Sequence, residues 1–118
     1  MSLTFVDIIS AWGKGMNDKD STGMEAVFSN DFTWQSAVPD DRSGEDPRSN
    51  KTESIEWTLG ADLKIGDYHT IYNGSGVVSG THSAIIEGVE HVVFCQGILT
   101  DDGRQVKSWR HLIGDYPE

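Results

Sequence analysis

The sequence predicts an α+β domain, with three N-terminal helices packed on one face of a strongly curved, mainly antiparallel sheet. Three observations predict it. Apolar residues recur at helical spacing near the start of the chain and again just after residue 50. From Tyr68 onward the pattern changes to period-two runs broken by Gly-rich and Asp-Gly turns. Helices followed by consecutive strands segregate to one face of a sheet instead of alternating around it. With 118 residues, the chain is one domain over residues 1–118, large enough to bury about two-thirds of its unfolded surface.

The first helix is marked by Phe5, Ile8, Ile9, Trp12 and Met16 at helical spacing, with Ser2 able to cap it. Gly13 and Gly15 weaken its last turn, and "MNDKD" ends it. A short second helix follows Asp20, burying Met24, Val27 and Phe28, and "SND" at 29–31 closes that unit. "FTWQSAV" then alternates as a strand, with Phe32, Trp34, Ser36 and Val38 on one face. Residues 39–49, "PDDRSGEDPRS", are a polar loop without the ligand spacing of a calcium site, and of a length suited to a flap over a pocket. Asn50 and Glu53 form a capping box for a third helix, which turns Ile55 and Leu59 to the core, Trp57 to its flank, and stops at Gly60. Four strands follow, "DYHTIYN", "VVSGTHSAII", "HVVFCQGIL" and "QVKSWRHLI", the last two joined at Asp102-Gly103.

Composition excludes several classes of function. Hydrophobic residues make up 36% and charged residues 24%, an ordinary soluble balance. A net charge of −10 repels nucleic acid and anionic membranes. No run is long enough to span a bilayer, and "FVDII" is too short for the core of a signal peptide. The single cysteine, Cys95, allows no internal disulfide, which fits a cytoplasmic setting. "GSGVVSG" lacks both the spacing and the following helix of a phosphate-binding loop.

Three stretches carry a family resemblance. "AWGKGMNDKDSTGMEAVFSNDFTW" is similar to a helix–Asn–Asp–helix opening that ends in D-x-x-W. "SGTHSAIIEG" resembles a G-T-H motif followed by glycine six residues on. "GILTDDGRQVKSWRHLIGD" resembles a closing hairpin that ends in W-R and an acidic residue. Together they resemble the NTF2-like superfamily in its SnoaL-like branch, which holds polyketide cyclases, isomerases, dehydratases, epoxide hydrolases and members without known chemistry. The resemblance implies a cone of sheet and helices around an apolar pocket, and pairing of two copies through the convex sheet face. Val106, Leu112 and Phe94 would supply the apolar part of that pairing.

Side-chain alternation then nominates the pocket wall. In the relatives the acidic residue after W-R points inward. His111 holds that place here, which turns Trp109 and Ile113 inward with it and Arg110 outward. The same logic puts Val93, Cys95 and Gly97 inward, and Gly80, His82 and Ala84 beside them. Trp34 and Tyr72 complete the expected wall. His111 and His82 are the candidate acid/base groups, since imidazole titrates near neutrality. Against this stand the readings of a buried structural histidine for each and of a simple packing residue for Cys95. The 29-residue separation of the two histidines fits no metal motif, so no metal and no cofactor is expected. His69 and His91 read as exposed. Two functions follow. One is proton transfer on a small apolar carbonyl compound, as in isomerisation or cyclisation. The other is a non-catalytic module that holds a small hydrophobic molecule or mediates assembly.

Overall fold

The computed structural model describes residues 2–38, 42 and 44–115, with backbone alone at 115. The elements are α1 (Phe5–Asp18), α2 (Thr22–Val27), β1 (Phe28–Ser36), β2 (Ser49–Asn50), α3 (Lys51–Gly60), β3 (Leu63–Asn73), β4 (Val77–Ile86), β5 (Val89–Leu99) and β6 (Val106–Asp115). Thr4 caps α1, not Ser2: the Thr4 hydroxyl accepts from Asp7 N–H and the Asp7 carboxylate accepts from Thr4 N–H, a capping box. The chain just before this cap is tied to the β5–β6 turn, where Leu3 N–H donates to Gly103 O at 2.8 Å. At α2, Asp20 accepts from Thr22 N–H at 3.0 Å. The Asn50–Glu53 box forms at α3 as its spacing predicts.

The three helices are not one N-terminal block. β1 starts directly at the end of α2, so the strand separates α2 from α3. Residues 29–31, expected to close the helical unit, are already part of β1, with buried Ser29 donating to Asp31 at 2.6 Å. The sheet order is β2-β1-β6-β5-β4-β3, so the last strand lies in the middle. β1 and β6 run parallel and the other described pairs are antiparallel.

Aromatic packing closes the narrow end of the domain. Phe28 and Phe32 stack at 4.0 Å, Trp12 meets Phe28 edge-on at 5.1 Å, and Phe5 stacks on Trp109 at 6.0 Å. Gly97 makes the Trp109 placement possible, because a Cβ there would sit 2.7 Å from the indole. Gly80 likewise leaves room for the Phe5 ring. Val106, expected on the outer face, is fully buried here. The register slips between Ile98 and Leu99, so that Leu99 faces Val106 while Ile98 faces Ser108. The extra residue reverses the facing of Val106 relative to the strand beyond it.

Candidate functional site

The concave face is built in layers that cross three strands. At the bottom lie Val78, Gly97 and Trp109, and above them Gly80, Cys95 and His111. The next layer is His82, Val93 and Ile113. These layers, roofed by α1 and α3, wall a cavity of about 640 Å³. α1 contributes Ile9, Trp12 and Met16, β1 contributes Trp34, and α3 contributes Trp57. The mouth is edged by Asp62, Lys64 and Glu87. Lys64 reaches away toward α1, donating to Asn17 O at 3.3 Å.

Eight of the eleven residues that the sequence turns inward line this cavity: Trp34, His82, Ala84, Val93, Cys95, Trp109, His111 and Ile113. Tyr72 does not. The register of β3 slips between Thr70 and Tyr72, and the Tyr72 ring, 56% exposed, lies over Gly74 at the far turn. The bulge gives the residue a facing that strict alternation would deny it. Among the wall residues that sequence reasoning missed are two tryptophans. Trp12 reads as one more member of the helical core stripe, and Trp57 sits on a helix whose apolar residues define no clear face. The signal that could have found them is composition: all four tryptophans of the chain line the cavity.

His82 is 9% exposed, and its Nδ1–H donates to Ser83 O at 3.0 Å. Burial pushes its pKa down, opposed by that hydrogen bond. At His111, Nδ1 accepts from Trp34 Nε1–H at 2.8 Å. Its pKa is also lowered, first by burial and then by the neighbouring His82. Both rings are therefore neutral at pH 7. No protein group among the described residues bonds to Nε2 of either ring, and no buried side-chain nitrogen there lacks a partner. Both Nε2 atoms are thus accessible, on rings whose residues line the cavity. The residues that carry them stand two strand spacings across and two residues along, about 12 Å between Cα positions.

Cys95 is buried, and its thiol is pushed up to about 12, with a side-chain hydrogen bond from Trp109 pulling the other way. It is a thiol, not a thiolate nucleophile, at neutral pH. His69 is exposed and His91 is half-buried. Among the described residues no group of three or more His, Cys, Asp or Glu could hold a metal ion, and no helix is long and apolar enough to cross a membrane. In the acidic loop expected as a flap, residues 39–41 and 43 lie outside the described residues. Residues 42 and 44–48 are exposed, with Arg48 paired to Asp46 at 3.0 Å.

No family model matches the chain, and no curated protein matches it. Solved structures do. A candidate isomerase from Rhodopseudomonas palustris is similar over 98% of this chain and 92% of its own, at 11% identity and a TM-score of 0.71. An NTF2-like protein of unknown function from Cytophaga hutchinsonii is similar over 96% and 92%, at 10% identity and 0.69. The BvnE pinacolase from Penicillium brevicompactum is similar over 96% and 88%, at 14% identity and 0.64. The chain has the NTF2-like fold. That fold supports many chemistries, so the likeness reaches no further than the fold.

Proposed function

We propose that the cavity holds a small, largely apolar carbonyl compound and that His82 and His111 handle a proton on it, as in isomerisation or intramolecular cyclisation. One observation carries this reading: two neutral imidazoles present unpartnered Nε2 atoms to a single apolar cavity. A pocket with an apolar lining orients its ligand through the few polar groups it presents, so a ligand with a polar group between the two rings is favoured. His82 suits the role of base, because burial favours its neutral, proton-accepting form. Trp34, Val93, Cys95, Trp109 and Ile113 supply the apolar wall. The isomerase name carried by a protein of the same fold points the same way.

The test is solvent exchange. Apolar cyclic enones incubated with the protein in D₂O should lose the proton α to the carbonyl, followed by NMR. His82→Gln should lower that rate about 10²- to 10⁴-fold while circular dichroism stays native. Exchange at the wild-type rate in this variant overturns the reading.

A second reading, a non-catalytic holder of a hydrophobic molecule, is favoured by the placement of carboxylates. Asp62 and Glu87 stand at the mouth, and the deeper wall has none. That reading expects ligand-induced thermal stabilisation with no exchange, and tolerance of glutamine at both histidines. Pairing of two copies belongs to either reading. It is supported by Phe94 and Leu112, cross-strand partners that are 47% and 50% exposed on the convex face. A reducing, cytoplasmic setting is supported by the free thiol of Cys95.

A further inference from the structure

We propose that Trp34 is a positioning residue that fixes the single proton of His111 on Nε2, so that His111 works as a neutral hydrogen-bond donor and never as a proton donor. The inference rests on the reading of the cavity as a proton-transfer site. An indole N–H can only donate. Its bond to His111 Nδ1 therefore requires a lone pair on that nitrogen, leaving the ring proton on Nε2. An imidazolium has protons on both nitrogens. Forming it at His111 would set two N–H groups head to head and forfeit a bond in a half-buried place.

Trp34 is poorly placed to turn away. Its ring meets Trp12 edge-on at 5.0 Å and Trp57 at 5.1 Å, and Trp12 is itself held by donating to Thr58 Oγ1 at 3.0 Å. Among the described residues, the titratable groups facing His111 are His82 from β4 and the Cys95 thiol from β5. β1 brings Trp34, α1 brings Trp12 and Met16, and α3 brings Trp57, none of them titratable. None of these supplies a negative charge that would stabilise an imidazolium, and the carboxylates of Asp62 and Glu87 stand at the mouth.

The two histidines are thereby set in opposite senses. The Ser83 carbonyl holds the proton of His82 on Nδ1, which leaves the Nε2 lone pair as the base. In the step this implies, His82 Nε2 takes a proton from the carbon α to the carbonyl. The C–H electron pair becomes the C=C bond, and the C=O π pair moves onto oxygen. His111 Nε2–H stabilises that oxygen by a hydrogen bond without transferring its proton, as a neutral imidazole can. His82 then returns its proton to the same or a conjugated carbon, and nothing is consumed. The substrate class is an enolisable ketone or aldehyde. Epoxide opening, which needs a proton delivered to the departing oxygen, receives none from His111.

Site-specific replacement of Trp34 by 3-benzothienylalanine keeps the ring shape and removes the N–H, and Trp34→Phe is the second variant. ¹⁵N NMR of labelled histidine reads the tautomer and the titration of His111 without any substrate. The wild type should show the Nε2–H tautomer alone. Both variants should show mixed tautomers and a titration moved up by about one pH unit. The acid limb of enone exchange should move with it. An unchanged tautomer ratio and titration in the benzothienyl protein overturns the proposal. Absence of exchange in the wild type instead overturns the proton-transfer reading, and the tautomer result still decides the role of Trp34.

Discussion

His82 and His111 sit on adjacent layers of one sheet, and each has its Nδ1 engaged, one donating and one accepting. For His82 this has a consequence in stability. Burial lowers its folded pKa, while the unfolded value lies near 6.5. Above that value both states are neutral and the group costs nothing. As pH falls below it, the unfolded chain takes up a proton that the folded chain refuses, so stability drops until the folded value is passed. As pH falls below about 6.5, the melting temperature of the wild type should therefore fall more steeply than that of His82→Gln, whose amide can still donate to Ser83 O. Parallel curves would refute it. The facing of His82 was legible in the sequence, because period-two alternation fixes a whole strand once one residue is anchored. Its hydrogen bond was not, since a neighbouring carbonyl is offered to every residue and only backbone geometry selects it.

Strand alternation worked where strands are regular and failed at bulges. β4 and β5 pair without a slip over Val77–Ile86 and Val89–Ile98, and there the expected facings stand. β3 slips twice and the start of β6 once, and after the second β3 slip and at the β6 slip Tyr72 and Val106 point the other way. A bulge leaves no mark in hydrophobic periodicity, because both residues involved are apolar or half-exposed. The start of α3 was readable through its capping box, and that of α1 to within two residues from a cap expected at Ser2 and found at Thr4. The start of β1 at Phe28 was not, since no breaker separates Val27 from Phe28. β5 itself offers a test. Gly97→Ala would place a methyl 2.7 Å from Trp109 and 3.2 Å from Val78. It should destabilise the fold by about 1–3 kcal/mol in urea titration. No loss would mean that the flat seat of Trp109 on β5 is dispensable.

For the molecule as a whole, the two sides of the sheet have different characters. The concave side is spent on the cavity and the aromatic plug beneath it. The convex side presents Phe94 and Leu112 to solvent beside Arg110 and Gln96. Light scattering should give about twice the 13.0 kDa chain mass, and Leu112→Glu should return it to the single-chain value. A wild-type protein that is monomeric at high concentration would end that expectation. The two cavity histidines and the tryptophan wall need only one copy, so they do not depend on the outcome.

Every indole the protein owns borders the same hollow. Its ultraviolet emission, excited beyond the reach of tyrosine, therefore comes from around one small volume, and whatever settles there should alter its colour and yield. The molecule carries its own reporter, and a library of candidate compounds can be screened against it without attaching a dye.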